Sequence, residues 1–144
     1  MKNLVLIVGG TSGIGLETAR YLSKKNYKVI ISGRSKIKEN LTYIETDVCN
    51  EHSVEKLSKK IYENYGYINS LVFTAATTVK KSRIDRFSEN KLTETLDTNL
   101  FGFLRLIKFF YPALKETKGR VVAVNSIAGK TYSEFSGIEY VSSK

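Results

Sequence analysis

A doubly wound parallel sheet of the α/β class is what this sequence predicts, on three observations. Apolar, β-rich runs alternate with segments of helical spacing; the first run ends in a glycine cluster where a helix begins; and no repeat, low-complexity tract or linker interrupts the alternation. The length of 144 residues suits one hydrophobic core, hence a single domain over 1–144. A hydrophobic fraction of 42 % with one proline excludes a disordered tail.

The elements follow in order. Leu4–Val8 is an unbroken apolar run, as a strand covered on both faces requires. From Ile14 the residues Ile14, Leu16, Ala19 and Leu22 keep helical spacing until Lys24 and Lys25 supply the positive charge that a helix C-terminus favours. Residues 27–32 read as the second strand, 41–46 as the third, 53–65 as a helix and 68–74 as the fourth strand. One long helix is expected over 89–115, a fifth strand over 121–124 and the start of another helix over 139–144. Such alternation implies right-handed crossovers with helices on both faces of the sheet.

Composition removes several classes of function. No apolar run near the start is long enough to span a bilayer or to form a signal-peptide core, so a soluble, cytoplasmic protein is expected. The lone Cys49 cannot close an intramolecular disulfide, and with His52 as the sole histidine no zinc cluster, and no metal site, is expected. The formal charge of +9 favours anionic partners, either nucleic acid or a phosphorylated cofactor. Lys24, Lys25, Lys28, Arg34, Lys36 and Lys38 occur with no acid among them, which equally describes a solvated face. No recognition motif or interleaving of aromatic and basic residues supports nucleic acid as the partner.

The glycine cluster carries more. Val8-Gly9-Gly10-Thr11-Ser12-Gly13-Ile14-Gly15 lies between a strand and a helix, the context in which glycine spacing has meaning. Glycine accepts positive φ, and without Cβ it lets backbone N–H groups approach a pyrophosphate at the positive end of a helix. The spacing of Gly9, Gly13 and Gly15 resembles the nucleotide loop of the short-chain dehydrogenase/reductase family, classical type, whose usual opening Thr is Val8 here. The resemblance implies a Rossmann-like doubly wound parallel sheet and a nicotinamide dinucleotide held by Gly9, Thr11, Ser12, Gly13, Ile14 and Gly15.

Cofactor choice is read at the end of the second strand. An acid there binds the ribose 2′-hydroxyl of NAD(H). Here Gly33 and Arg34 take its place, and a planar guanidinium suits a 2′-phosphate, so NADP(H) is preferred and NAD(H) not excluded. Asp47-Val48 resembles the family's adenine-contacting pair, although an Asp at a strand end is also an ordinary turn former. The fourth strand ends in Phe73-Thr74-Ala75-Ala76 where the family has Asn-Asn-Ala-Gly. The small pair Ala75 and Ala76 still permits close approach of the cofactor.

Proton transfer is assigned by position. Tyr140 and Lys144 share a helix face, but the sequence holds three Tyr-x-x-x-Lys pairs, and about one is expected by chance. Tyr21 and Tyr111 lie at the wrong edge of the sheet; only Tyr140 follows the carboxyl end of a strand, where ligands of open parallel sheets bind. Ser126 lies just past the fifth strand, where a hydroxyl faces the same cleft or merely forms a turn. Asn99 interrupts the apolar stripe Leu92, Leu96, Phe103, Leu106 and Phe110, and a buried amide needs partners. Those partners are either a neighbouring backbone or, as the resemblance implies, a water of a proton relay.

Taken residue by residue, the resemblance implies a catalytic tetrad of Asn99, Ser126, Tyr140 and Lys144 and an NADP(H)-dependent oxidoreductase interconverting a secondary alcohol and a ketone. A non-catalytic dinucleotide-binding module is the alternative. Family members continue the Tyr-Lys helix and add two strands and a substrate loop, so the domain is expected to be incomplete at its C-terminus. Lys144 is then expected to fray, strand five to be an apolar edge, and activity to be weak or absent unless self-association covers the gap. A homo-oligomer acting on a small carbonyl or alcohol, with no nucleic acid and no membrane as partner, completes the expectation.

Overall fold

The computed structural model describes residues 3–78, 83–131 and 135–144. Five parallel strands, β1 (Leu4–Val8), β2 (Lys28–Gly33), β3 (Thr42–Glu45), β4 (Ser70–Phe73) and β5 (Arg120–Ala123), form one sheet in the order β3-β2-β1-β4-β5. β1 lies at the centre, with Val8 level with Ser32 of β2 and Phe73 of β4. The chain reverses its direction of winding after β3, so the carboxyl ends of β1 and β4 flank the switch point where such sheets bind ligands.

The central strand is apolar at every position because alternate side chains enter two cores. Leu4, Leu6 and Val8 pack with Val54, Leu57 and Ile61 of α2 (Glu51–Tyr65) and with Leu106, Phe110 and Leu114 of α4 (Gly102–Glu116). Val5 and Ile7 face the other way, onto Ala19 of α1 (Gly13–Ser23). The second layer is thinner, and the basic residues between 24 and 38 are exposed on its rim.

The long helix expected over 89–115 is broken. α3 (Glu89–Leu96) passes into a π turn, Asp97–Phe101, before α4 begins. The extra residue rotates the stripe, so Thr95 and Asn99 are buried while Leu92 and Leu96 are half-buried. Arg105 holds the turn through Asp97 Oδ1 (2.7 Å) and reaches Val48 O (3.1 Å). Gly102 permits the approach, since a Cβ there would fall 2.8 Å from Val48 Cγ2.

Other boundaries differ for local reasons. α2 starts at Glu51 rather than 53 because Asn50 Oδ1 accepts the Ser53 N–H (3.0 Å), a polar cap that lies ahead of the first apolar residue of the pattern. The last helix, α5 (Ile138–Ser142), is one turn and a half. Among the described residues β5 pairs only with β4, and its Val121 and Val122 stand 43 % and 50 % exposed, as an uncovered edge would.

Candidate functional site

A cleft of about 320 Å³ opens at the carboxyl ends of the central strands. The loop after β1 forms one wall. Gly9 adopts φ +84°, and a Cβ on it would fall 2.4 Å from Ala75 N; at Gly15 a Cβ would fall 2.4 Å from Gly9 O and from Thr74 Oγ1. The glycines therefore let the loop lie against the end of β4, and the Gly9 and Gly10 N–H groups anchor it by donating to Ser32 O (2.9 and 3.1 Å).

Three features of α1 fit an anion. Ser12 is extended and its side chain caps nothing; the helix bonds begin only at Leu16 N–H to Ser12 O (3.1 Å), which leaves the N–H groups of Gly13, Ile14 and Gly15 directed out of the helix end; and no acid lies in the first turn. By contrast, α2 and α3 are closed by Asn50 and Ser88 side chains and carry Glu51 and Glu89 in their first turns. An uncapped, acid-free N-terminus behind a glycine cradle suits the diphosphate of a dinucleotide.

All eleven residues expected to hold the cofactor line this one cleft: Gly9, Thr11, Ser12, Gly13, Ile14 and Gly15 in the loop, and Arg34, Asp47, Val48, Ala75 and Ala76 around the rim. Arg34 is exposed and makes no ion pair among the described residues. Asp47 has local work as well, its Oδ1 accepting the Cys49 N–H (3.0 Å). Where the family amides are missing, Thr74 braces the sheet by donating its hydroxyl to Val8 O (2.9 Å). Sequence reasoning missed Thr74, Thr77, Cys49 and Thr98, which also line the cleft. The signal available for Thr74 was its place at the end of β4 with a hydroxyl where an amide was expected. Burial pushes the Cys49 thiol up from its ordinary value, against a hydrogen-bonding contact with Thr98 (3.3 Å); Asp97 and Asp47 push it further up.

Ser126, Tyr140 and Lys144 lie outside the lining of that cleft: Ser126 in the turn after β5, Tyr140 on α5, and Lys144 just past the end of α5. The Ser126 hydroxyl accepts the Ala128 N–H (3.2 Å) and so forms a turn while keeping its own proton to donate. That turn meets the chain end: a Cβ on Gly129 would fall 2.3 Å from the Lys144 carbonyl carbon. Lys144 packs along its backbone against Gly129, because the glycine leaves room for it. The Lys144 ammonium is 5.6 Å from the Tyr140 ring centre, the same separation as in the Tyr21/Lys25 pair, so helical spacing alone does not single it out.

Asn99 is 7 % exposed and bound on every side. Its Oδ1 accepts the Thr77 N–H (2.8 Å), and its Nδ2 donates to Thr77 O (3.0 Å) and to Ser143 Oγ (2.8 Å). The backbone partner open to it from sequence is that of Thr77. Two further residues went unnoticed. Ser143 donates to Tyr140 O (2.8 Å), and the buried Glu139 carboxylate accepts the Ser88 N–H (3.1 Å), tying α5 to the cap of α3.

Sheet order, switch-point cleft and glycine cradle together define a Rossmann-like α/β domain built around a nucleotide cleft. The chain belongs to the short chain dehydrogenase family, whose model matches residues 3–144. It is 29 % identical over 146 residues to an uncharacterised oxidoreductase of Staphylococcus haemolyticus, covering 94 % of this chain and 63 % of that protein. It is 29 % identical over 127 residues to the 3-oxoacyl-[acyl-carrier-protein] reductase MabA of Mycobacterium avium, covering 87 % of this chain and 49 % of that one. Among solved structures, ElxO with NADP bound superposes with a TM-score of 0.90 at 26 % identity, over 99 % of this chain and 62 % of that one. The aldohexose dehydrogenase of Thermoplasma acidophilum gives 0.91 at 26 % identity, over 99 % and 56 %. The chain thus spans 49 to 63 % of the length of these proteins. No helix among the described residues is long and apolar enough to cross a membrane.

Proposed function

We propose that this chain is the cofactor half and catalytic edge of an NADP(H)-dependent oxidoreductase that interconverts a secondary alcohol and a ketone. The observation that carries the reading is the uncapped N-terminus of α1 behind a glycine loop, opening onto the same cleft as an Arg34 with no ion-pair partner among the described residues. A bound nicotinamide would supply or accept the hydride. The protein's own part is to hold the diphosphate on the N–H groups of Gly13–Gly15, to meet a 2′-phosphate with Arg34, and to manage one proton at the substrate oxygen. In the reductive direction Tyr140 gives its phenolic proton to that oxygen while the Ser126 hydroxyl donates a hydrogen bond to it; in the oxidative direction Tyr140 takes the proton from the alcohol. Lys144 favours the transfer electrostatically, and Asn99 fixes the backbone around them. A cytoplasmic setting and self-association belong to the same reading; Leu104 and Tyr111 stand 49 % and 57 % exposed on the outer side of α4.

The test is a fluorescence titration of the chain with NADPH and NADH. NADPH binds more tightly by about tenfold or more, and Arg34→Asp reverses the order, since an ion-paired phosphate contact is worth about 1.5–3 kcal/mol. An unchanged preference in Arg34→Asp refutes the assignment. Tyr140→Phe abolishes ketone reduction and leaves NADPH binding intact. If the self-associated chain binds NADPH, turns over no carbonyl compound and is unaffected by Tyr140→Phe, it is a binding module instead.

A further inference from the structure

The hydrogen bonds around Asn99 do not stop at Asn99. Thr77 lines the cleft, and both its backbone polar groups are held by the Asn99 amide. The same amide nitrogen donates to Ser143 Oγ (2.8 Å), and that hydroxyl donates onward to Tyr140 O (2.8 Å). Four polar contacts therefore link the lining of the nucleotide cleft, through the π turn, to the backbone of α5, which bears Tyr140 and leads into Lys144. Every link is short, and Asn99 and Ser143 are 7 % and 8 % exposed, so water competes poorly for either.

The π turn makes this geometry possible. The extra residue in Asp97–Phe101 swings Asn99 onto the buried side, between the end of β4 and α5. α5 itself is five residues long and too short to hold its own shape. Its place is set from outside, by Glu139 on Ser88, Gly129 against Lys144, and Ser143 on Asn99. Only the last of these leads back to a residue lining the cleft.

We propose that Ser143 is a positioning residue that couples the nucleotide cleft to α5 and the Lys144 that follows it: its hydroxyl, accepting from Asn99 and donating to Tyr140 O, transmits the setting of the Thr77 backbone to α5. The inference rests on the proposed nucleotide site. Filling the cleft steadies Thr77, Thr77 steadies Asn99, and α5 is ordered in consequence. Because coupling between two sites is reciprocal, loosening α5 at Ser143 removes the benefit that α5 draws from the nucleotide. Ser143 touches no substrate and acts only through the residues it holds.

Amide hydrogen exchange of residues 138–144, with and without saturating NADPH, tests this in the unmutated chain, Ser143→Ala and Ser143→Thr. NADPH slows exchange across α5 in the unmutated chain and in Ser143→Thr, by about tenfold for one buried hydrogen bond. In Ser143→Ala, NADPH still binds by fluorescence and still protects the glycine loop, but the protection of α5 is lost. A purely structural Ser143 would speed α5 exchange in Ser143→Ala by the same factor with and without NADPH, leaving the ratio intact, and that result overturns the proposal. Equal loss in Ser143→Thr and Ser143→Ala also overturns it, because the hydroxyl is then not the active part. Absence of NADPH binding to the unmutated chain sinks the nucleotide reading and the coupling together. Binding and loop protection with no protection of α5 sink the coupling alone.

Discussion

Two helices begin at the carboxyl edge of the same sheet and their first turns are built for opposite purposes. α2 is closed: Asn50 accepts the Ser53 N–H, Glu51 adds negative charge, and the Asp47 and Ser53 side chains satisfy the backbone around the entry. α1 is open: the Ser12 side chain accepts nothing from the helix, the first turn is acid-free, and glycines at 9 and 15 let the N-terminus lie flush with β4. A helix left open forgoes a cap worth about 1 kcal/mol. The difference teaches where the molecule keeps its backbone donors free for something outside the chain.

The largest effect is expected where the open end is closed by force. In Gly15→Ala the added methyl meets Gly9 O and Thr74 Oγ1 at 2.4 Å, so the loop must lift from β4. The expected cost is about 2–3 kcal/mol of stability from overpacking, and nucleotide affinity falls more than about a hundredfold, since two backbone donors or more lose their aim. Gly66→Ala at the far end of α2 is the control: φ is +73° and a Cβ there meets nothing within 4 Å, so only about 1 kcal/mol of left-handed strain is expected. Thermal unfolding and NADPH titration of both variants read the contrast, and equal losses of affinity would erase it.

A smaller pair of changes separates capping from binding. Asn50→Ala removes a bonded cap and costs about 1 kcal/mol of stability while leaving NADPH affinity as it was. Ser12→Ala removes a hydroxyl that caps nothing, so stability moves by less than about 0.5 kcal/mol, whereas affinity falls by about tenfold, the worth of one hydrogen bond to a charged oxygen. If Ser12→Ala costs as much stability as Asn50→Ala, the two termini are not different in kind.

Much of this was legible in the sequence, for physical reasons that differ by residue. The strands were legible because β1 buries both faces, which leaves an unbroken apolar run at 4–8. The glycine loop was legible because positive φ with close approach at Gly9, and close approach alone at Gly15, leave no room for a side chain. The π turn was not, since Leu92, Leu96 and Asn99 fit an unbroken α-helix equally well and one inserted residue leaves no trace in composition. Thr77 and Ser143 were invisible for another reason: Thr77 contributes only its backbone to the Asn99 clamp, and Ser143 acts through a contact 44 residues distant in the chain. Asn99 itself stood out, as a polar side chain inside an apolar stripe, but its partners had to be seen.

The smallest expected effect lies at Cys49, which immediately precedes the cap of α2 and also lines the cleft. A thiol beside a helix N-terminus is ordinarily acidified by the helix dipole. Here burial dominates and pushes the thiol upward, and the Asp97 and Asp47 carboxylates push the same way, outweighing the Thr98 contact. A raised native value means that the folded chain holds its proton longer than the unfolded one. The stability this confers is whole below the ordinary thiol range and declines as pH climbs through it, because the unfolded thiol ionises first. Alkylation of Cys49 is accordingly slower at neutral pH than that of a free thiol and accelerates only on the alkaline side of the ordinary range; NADPH slows it further by filling the cleft. Fast, nucleotide-insensitive alkylation at neutral pH would mean that the α2 terminus still projects its field past Asn50 and Glu51, and the contrast between a closed and an open helix end would then be one of degree.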